Sequence, residues 1–340
     1  MNFDFSDDQQ AIKRTANELL ASRFKPERVR ELAEAGAYAD DVWAELCELG
    51  WAGIFLDERH GGQGLGMVEL VILQEELGYV LAPLPFLSNA AAGLLIQYAG
   101  SDEQKQRWLP GIASGETLGS VGLVAGDGEA KLVPDAAEAD VLVLLSGDGA
   151  AIVERSAADV EPLKTMDHTR RYARVRSATG ELLEGDVDAG LDRVVTAVAA
   201  ELVGVSQRAL GMATEYARDR KQFGRPIGAY QGVSHRLAQM LLETEGSRSG
   251  AYYAGWVADA EPELLGLAAS MAKAYASDAG WRVTAGALQV HGGIGFTWEH
   301  DLHFLLKRAK TDALLYGSAR EHRDRVADLS GLSAAEPAPA

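Results

Sequence analysis

A long apolar stripe in the second half of the chain constrains the fold more than any other sequence feature. Between Val195 and Tyr216, apolar side chains recur at alternating steps of three and four residues. This spacing places them on one face of a single long helix and is typical of helices that pack side by side. The same spacing returns over 230–240 and 264–274, and 298–328 form a fourth helical stretch. Four such helices with short connections predict an antiparallel bundle.

The rest of the chain divides into a helical part and a β part. Ser6 is a predicted helix N-cap, and a short helix over 102–108 should end before Pro110. Short runs rich in β-branched residues then predict strands; they lie at 119–125, 140–146, 150–153 and 172–176. We therefore expect a mainly α fold with a small β insert. Its parts are an N-terminal helical domain (1–116), a shortened middle β domain (117–186), a four-helix bundle (187–329) and a disordered tail (330–340).

Charge and cysteine content exclude several classes of protein. The 340 residues include 32 basic and 50 acidic side chains, giving a net charge of −18. That balance argues against binding to a nucleic-acid backbone, which requires clustered Lys and Arg. Cys47 is the only cysteine, so no internal disulfide can form and a reducing compartment is expected. The sequence lacks a signal peptide and an apolar run of about 20 residues, so we expect a cytoplasmic protein without a membrane span.

Two segments are rich in residues that could bind a ligand. Arg220–Gln231 combines arginines, a lysine, an aromatic ring and glutamines at a turn between two predicted helices. Guanidinium groups suit an anion and an aromatic ring suits a planar group, although a solvated basic helix end has the same composition. Gln289–Phe296 contains the pair Gly292 and Gly293. Such glycines let the backbone approach a phosphate, but they also end helices.

Taken together, the two segments resemble signatures of the acyl-CoA dehydrogenase family. Residues 216–231, YARDRKQFGRPIGAYQ, resemble its R-x-Q-F-G-x-P-I-x-x-(F/Y)-Q signature. Residues 289–296, QVHGGIGF, resemble its Q-x-x-G-G-x-G-(F/Y) signature. Residues 50–85 also resemble the family's helical region, with its glycine loop and E-E-L-G helix. The resemblance covers nearly the whole chain except the β insert and the tail.

The resemblance implies a fold, a cofactor and a reaction. The family fold has a helical domain, a β domain and a C-terminal four-helix bundle. Its members form oligomers and use FAD to convert an acyl-CoA thioester to a 2-enoyl-CoA, passing electrons to an electron-transfer acceptor protein. A glutamate removes the α-proton, and the β-hydride passes to the flavin. The residues here that match the family's cofactor contacts, most of them to a neighbouring subunit's FAD, are Arg220, Phe223, Gln231, Gln289, Gly292, Gly293 and Ser318.

The sequence departs from the family at the position of the catalytic base. Twenty residues after Phe296, where the family has glutamate, this chain has Tyr316, and a phenol with a pKa near 10 is a poor base at neutral pH. A second branch carries its glutamate near the position of Val194, so Asp192 and Glu201 are the nearby carboxylate candidates. Glu201 is more simply interpreted as a polar contact between helices.

The β insert also departs from the family. It is short, and it lacks the T-E-x-x-x-G-S-D and G-x-K-x-x-(I/V)-(T/S) segments that hold the flavin ring within one subunit. The chain thus keeps the residues that reach a neighbour's cofactor and lacks those that serve its own. This division predicts a partner subunit without a catalytic base in an α2β2 heteromer acting on a bulky acyl-CoA, such as a steroid side chain. The alternatives are a self-sufficient dehydrogenase with a relocated carboxylate and a non-enzymatic scaffold on the same fold.

Overall fold

A computed structural model describes residues 5–147, 149–177 and 180–332 of the chain. The first region is helical. Ser6 begins the first helix with a capping box, in which its hydroxyl accepts from the backbone N–H of Gln9 and the Gln9 side chain accepts from the Ser6 N–H. The six helices are α1 (Asp7–Arg23), α2 (Pro26–Ala35), α3 (Asp40–Glu48), α4 (Met67–Val80), α5 (Phe86–Ala99) and α6 (Asp102–Ser114). The predicted tail lies outside the described residues from 333 onwards.

The second region consists of two small sheets packed face to face around their own apolar core. The strands are β1 (Gly119–Leu123), β2 (Glu129–Pro134), β3 (Val141–Ser146), β4 (Gly149–Glu154), β5 (Ala158–Leu163), β6 (Tyr172–Ser177) and β7 (Glu181–Leu183). One sheet has the order β1-β3-β4-β7, with β1 and β3 parallel. The other has the order β2-β6-β5 and is antiparallel.

The third region is a helical bundle. Its long helices are α7 (Val187–Asp219), α8 (Gln231–Ala260) and α9 (Leu265–His291), followed by the shorter α10 (Leu302–Asp312) and α11 (Ala319–Leu329). A two-stranded hairpin, β8 (Lys221–Gln222) with β9 (Arg225–Pro226), joins α7 to α8. The fourth helical stretch predicted from the sequence, 298–328, is divided by the loop between α10 and α11.

The helical domain and the bundle share one core because α4 lies directly against α7. Two glycines permit this close approach: a Cβ at Gly78 would lie 2.3 Å from the carbonyl oxygen of Glu201, and one at Gly204 would lie 1.9 Å from that of Glu75. No larger residue fits at either position without separating the helices. The contact brings Gln74, in the middle of α4, within hydrogen-bond distance of Glu201. None of the helices in the described ranges combines the length and the hydropathy needed to cross a bilayer.

Two sequence predictions about helices were wrong. The stripe from Leu264 to Ala274 does not form the buried face of α9, since Leu264 is 42% exposed and Met271 is 52% exposed. The face that packs into the bundle is made instead of small residues such as Ala272, because alanine lets long helices approach closely. Pro110 does not end its helix either: α6 continues through it to Ser114.

Candidate functional site

The hairpin between α7 and α8 carries the first signature segment. At its tip, Phe223 has φ +52° and Gly224 has φ +83°, and two consecutive positive φ values are those of the tight turn that suits a two-residue hairpin. Glycine adopts this conformation freely, but a bulky side chain rarely does. The Phe223 side chain is nevertheless 93% exposed, so packing within the chain does not offset its backbone strain.

The base of the hairpin is held firmly even though its tip is uncovered. The Ile227 N–H donates to the carbonyl oxygen of Arg220 at 2.8 Å. The Tyr230 hydroxyl donates to the carbonyl oxygen of Gln222 at 3.1 Å, and the Arg225 guanidinium lies 4.1 Å from the centre of the Tyr230 ring. The hairpin is therefore fixed at its base by these contacts, and its tip faces solvent.

The second signature segment lies beside the first at the same end of the bundle. Tyr216, near the end of α7, stacks on His291, the last residue of α9, with ring centres 4.3 Å apart. His291 is fixed in turn by the carbonyl oxygen of Ala287, 2.9 Å from its Nδ1. A Cβ added to Gly292 or Gly293 would meet nothing within 4 Å, so this backbone is open to a ligand.

Most of the predicted cofactor residues lie at this end of the bundle. Ser318 does not: it is the N-cap of α11, where its hydroxyl accepts from the Glu321 N–H and donates to the Glu321 carboxylate. The other predicted residues face solvent or are half-buried, and they are Arg220, Phe223, Gln231, Gln289, Gly292 and Gly293.

Tyr316, at the position expected for the base, is enclosed between the bundle and the β domain. Its side chain is 6% exposed, and its hydroxyl donates to the carbonyl oxygen of Val121 on β1 at 3.4 Å. Burial raises the pKa of this phenol further above its ordinary value of 10. Tyr316 is therefore protonated at neutral pH and unable to remove a proton from a substrate.

The loop around Tyr316 is held by its main chain. Lys273, fully buried on α9, donates from Nζ to the carbonyl oxygens of Ala313 at 3.2 Å and Gly317 at 2.9 Å. Burial lowers the pKa of Lys273 to about 7. His322 on α11 donates from Nε2 to the carbonyl oxygen of Tyr316 at 3.1 Å. Buried side chains thus satisfy three carbonyl groups of this loop.

The carboxylate of Asp192 is engaged in an ion pair. Both of its oxygens accept from Arg325 on α11, with Nη2 and Oδ2 2.9 Å apart. Burial raises the pKa of Asp192, and the hydrogen bond from Arg325 opposes that rise. The pair joins the first turns of α7 to the last helix of the bundle.

Glu201 lies at the centre of a buried charge cluster. Arg170 donates to both of its carboxylate oxygens at 2.7 Å, and Arg308 donates to Oε1 at 2.5 Å. Burial alone would raise the pKa of Glu201, but the charges of Arg170 and then Arg308 hold it below its ordinary value. Gln74 on α4 also donates to this carboxylate, at 3.1 Å. The interpretation of Glu201 as a polar contact between helices agrees with this geometry.

Sequence reasoning missed the other members of the charge cluster. Arg308 also binds Asp167 at 2.9 Å, and Arg170 binds Asp312 at 2.7 Å. The second oxygen of Asp312 is buried and has no partner among the described residues, and burial raises the pKa of this carboxyl. The cluster joins the loop before β6 to α7 and α10, and no local pattern signals pairs between residues so distant in sequence.

Two places in the molecule differ in the chemistry they offer: the end of the bundle that carries Arg220 and Gly292, called here the bundle end, and the loop 313–318 around Tyr316, called here the enclosed loop. The bundle end offers exposed guanidinium, amide, aromatic and glycine backbone groups, which suit the anionic and planar parts of a nucleotide. The enclosed loop offers a neutral phenol, and the two carboxylates that the sequence singled out are neutralised by arginines. The described residues therefore include an exposed surface suited to binding a nucleotide. At the positions predicted for a catalytic base, they provide no free base.

Comparison with known proteins identifies the family. Residues 6–116 match the N-terminal domain model of acyl-CoA dehydrogenases, and residues 187–330 match the C-terminal domain model. Acyl-CoA dehydrogenase IpdE2 of Mycolicibacterium smegmatis is 32% identical over 94% of this chain and 98% of that protein.

Two solved structures of related assemblies are similar over nearly their whole length. A chain of the ChsE4-ChsE5 complex from Mycobacterium tuberculosis has a TM-score of 0.88 and 26% identity, covering 98% of this chain and all of that one. A chain of the Tcur3481-Tcur3483 steroid ACAD has a TM-score of 0.87 and 27% identity, covering 96% and 98%. The chain belongs to the acyl-CoA dehydrogenase family.

Proposed function

We propose that this chain is the subunit without a catalytic base in an α2β2 heteromeric acyl-CoA dehydrogenase. The observation that carries the proposal is Tyr316: at the position where the resemblance expects glutamate stands a buried phenol whose pKa is raised. A dehydrogenase that keeps the glutamate supplies the base, and this chain completes that subunit's cofactor site.

The alternative of a relocated base is disfavoured by the state of both candidate carboxylates. Asp192 is bound through both oxygens to Arg325, and Glu201 is bound by Arg170 and Arg308. A general base must reach the substrate proton within hydrogen-bond distance. Either carboxylate would first have to leave its arginine partner, and for Glu201, whose ion pairs are buried on both sides, this costs about 3–5 kcal/mol.

The residues present fit one end of FAD and not the other. Arg220 and the open backbone at Gly292 and Gly293 suit a pyrophosphate, and the exposed Phe223 ring suits a planar group. These groups project outward, so they suit a cofactor held mainly by another subunit. When bound, FAD supplies the acceptor for the hydride. Within this chain, the short β domain lacks the segments by which the family holds the flavin ring, and Tyr316, beside β1, is buried.

The proposed reaction is α,β-dehydrogenation of an acyl-CoA thioester in the cytoplasm, with electrons passing to an electron-transfer acceptor protein. A bulky acyl group, such as a steroid side chain, is proposed because one structural relative is described as a steroid ACAD and another as a ChsE4-ChsE5 complex. The role of this chain in the reaction is to bind and orient the cofactor across the interface.

The test is expression of the chain alone and together with a dehydrogenase encoded beside it that retains the glutamate. Alone, the chain should be colourless and inactive. Together, the two should co-purify as a yellow complex with the native mass of a heterotetramer and should reduce an electron acceptor when given an acyl-CoA. A yellow, active homo-oligomer of this chain would overturn the proposal. Failure to bind flavin or CoA in any combination would support the scaffold alternative.

A matched pair of arginine variants tests the cofactor contact. Arg218 and Arg220 are both exposed near the end of α7, but Arg218 is already paired with Asp219 at 3.2 Å. Arg220→Ala should lower the flavin content of the complex, whereas Arg218→Ala should leave it unchanged. The measurement is the ratio of absorbance at about 450 nm to that at 280 nm in complexes of equal native mass. Equal flavin content in both variants would contradict the contact.

A further inference from the structure

A cavity of about 150 Å³ lies between the helical domain and the bundle. Its wall comes from the junction of α1 with α2, the end of α4, the C-terminal half of α7 and the start of α10. It includes none of the predicted base positions and none of the predicted cofactor residues. The buried side chains of the wall are all apolar, and they are Phe24, Val29, Leu81, Phe304 and Leu305. The interior of this cavity therefore suits an apolar group.

The volume of the cavity sets the size of that group. An apolar cavity of about 150 Å³ stays free of water and accommodates a molecule of about six carbon atoms, such as benzene. Filling it is favourable because the apolar surface of the ligand leaves water. The cavity therefore suits a short hydrocarbon body and is too small for the bulky acyl group proposed above.

One cationic side chain in the wall is left without a partner by the chain. Arg208, on α7, lines the cavity and is half-buried. It makes no hydrogen bond or ion pair to a described residue, and its guanidinium lies 5.5 Å from the centre of the Tyr79 ring. Arg248, half-buried on α8, donates instead to Glu75 at 3.1 Å and to Gln207 at 2.8 Å. The donors of Arg208 are thus available to an anion, and their planar arrangement matches a carboxylate.

The other charged residues of the wall make the mouth of the cavity positive. Lys25 is exposed and has no ion pair within the described ranges. Asp301 is the only acidic residue among the lining residues, and Arg30 neutralises it at 2.5 Å. Two cations without partners therefore lie at one apolar opening, in a chain whose net charge is −18. A local positive field of this kind attracts the anionic head of an amphipathic molecule.

We propose that this cavity binds a free monocarboxylate with a hydrocarbon body of about six carbon atoms. Arg208 and Lys25 bind the carboxylate at the mouth, and the body fills the apolar interior. The binding requires neither FAD nor a partner subunit, so it stands or falls separately from the function proposed above.

The test uses three probes that share a six-carbon chain and differ in the charge of the head. Binding of hexanoate, 1-hexanol and hexylamine to the purified full chain is measured by calorimetry and ligand-observed NMR at pH 7. We expect saturable binding of hexanoate, about three- to tenfold tighter than that of 1-hexanol, which lies between the contributions of exposed and buried charged pairs. Hexylamine should bind most weakly. Equal affinities, tighter binding of the amine, or no saturable binding of hexanoate would overturn the proposal.

Acetate tests whether the cavity contributes to the binding. It keeps the carboxylate but lacks the hydrocarbon body, so it should not saturate at concentrations that saturate hexanoate. Acetate as tight as hexanoate would mean that a surface charge binds the anion without the cavity, and the proposal would fall. Raising the salt concentration from about 0.1 M to 1 M should narrow the preference for hexanoate over 1-hexanol, because salt screens the pair at the mouth.

Substitution of Arg208 separates recognition from folding. Arg208→Gln should abolish the preference for hexanoate and leave the affinity for 1-hexanol unchanged, whereas Arg208→Lys should retain part of the preference. The melting temperature of the free protein should stay within about 2 °C, since the arginine has no internal ion pair to lose. A larger loss of stability with the preference retained would mean that Arg208 serves the fold, against the proposal. Arg236→Gln, an exposed position on α8 outside the cavity wall, is the matched control and should behave as the parent.

A second variant tests the position of the hydrocarbon body. Ala21 lies on α1, where it is exposed and lines the cavity. Ala21→Trp places an indole ring at the mouth and should weaken hexanoate and 1-hexanol alike, by at least about tenfold. Unchanged affinity for both probes would show that they bind elsewhere and would contradict the assignment.

Discussion

Two loops of the bundle share a backbone conformation but have opposite environments. In the hairpin, Phe223 and Gly224 have φ values of +52° and +83°; in the loop before α11, Tyr316 and Gly317 have φ values of +55° and +108°. Each loop places an aromatic residue, followed by glycine, in a region that bulky side chains avoid. Phe223 is almost fully exposed, whereas Tyr316 is buried.

The difference indicates which contacts offset the cost of the positive φ values in each loop. Tyr316 gains burial, and its carbonyl oxygen is bound by His322, so the chain itself offsets the strain. Phe223 gains neither from the described residues; under the function proposed above, its compensation would come from another molecule. Substitutions in and around the two loops test this contrast.

The largest effect should come from the charge cluster beside the enclosed loop. Glu201→Ala leaves Arg170 and Arg308 without their shared buried carboxylate. Breaking such a pair is expected to lower the free energy of unfolding by about 3–5 kcal/mol. The control is Asp278→Ala, which removes an exposed partner of Arg323 and should cost at most about 1 kcal/mol. Urea unfolding measures both, and similar losses would show that the cluster is not a special stabilising element.

Removal of the buried aromatic residue should come next. Tyr316→Gly relieves the positive φ but gives up the burial of the phenol ring. Loss of a large buried aromatic residue costs about 3–5 kcal/mol, and relief of a left-handed residue returns about 1–2 kcal/mol. We therefore expect a net loss of about 1–4 kcal/mol in the free energy of unfolding. Tyr316→Phe keeps the ring and should stay within about 0.5 kcal/mol of the parent, since the bond to Val121 is long. A gain in stability for Tyr316→Gly would contradict the view that burial of Tyr316 offsets its backbone strain.

The same substitution in the hairpin should have the opposite sign. Phe223→Gly relieves the strain without losing burial, so the free energy of unfolding should rise by roughly 0.5–1 kcal/mol. Phe223→Ala keeps a Cβ and should leave stability nearly unchanged. Both variants should lower the flavin content of the proposed heteromer, because both remove the ring. If Phe223→Gly destabilised the isolated chain, the ring would be packed within the chain after all.

The smallest effect at neutral pH is that of His322, whose contribution to stability changes only in acid. Burial lowers the pKa of His322 from 6.5 to about 4. As the pH falls from 6.5 to 4, the unfolded chain takes up a proton that the folded chain does not, so stability decreases across this window. The contribution of His322 is complete above about pH 6.5. The variant His322→Gln should lose less stability than the parent between pH 6.5 and 4, as measured by urea unfolding at each pH.

A histidine outside the loop provides the control for this acid effect. His235 on α8 is exposed, so His235→Gln should follow the parent curve. A parallel curve for His322→Gln would mean that His322 takes up protons equally in the folded and unfolded chains, against the role assigned to its burial.

Helices and strands with a periodic apolar pattern could be predicted from the sequence, whereas edge strands and the exposed faces of helices could not. The stripe from Val195 to Tyr216 lies on α7 because one face of that helix is buried along its length. β5 escaped prediction because it carries Asp159, Glu161 and Pro162 and lies at the edge of its sheet, where charge and proline are tolerated. The apolar residues at the surface of α9 resembled core because spacing alone cannot distinguish a buried face from an uncovered one.

The candidate site divides in the same way. The signature segments around Arg220 and Gly292 are continuous in sequence, so a resemblance can locate them. The charge cluster is built from Arg170, Glu201 and Arg308, which lie on different elements. Only the folded chain reveals that these charges compensate one another.

Lys273 and His322 hold the loop before α11 through its carbonyl oxygens and not through its side chains. Every residue type has a carbonyl group, so this mode of fixation is indifferent to the residue at position 316. Exchange of an acid for a phenol there alters the chemistry of the loop while leaving its anchoring intact. In evolutionary terms, a duplicated subunit could give up its own base by substitution at a single codon and still assemble with the copy that kept it.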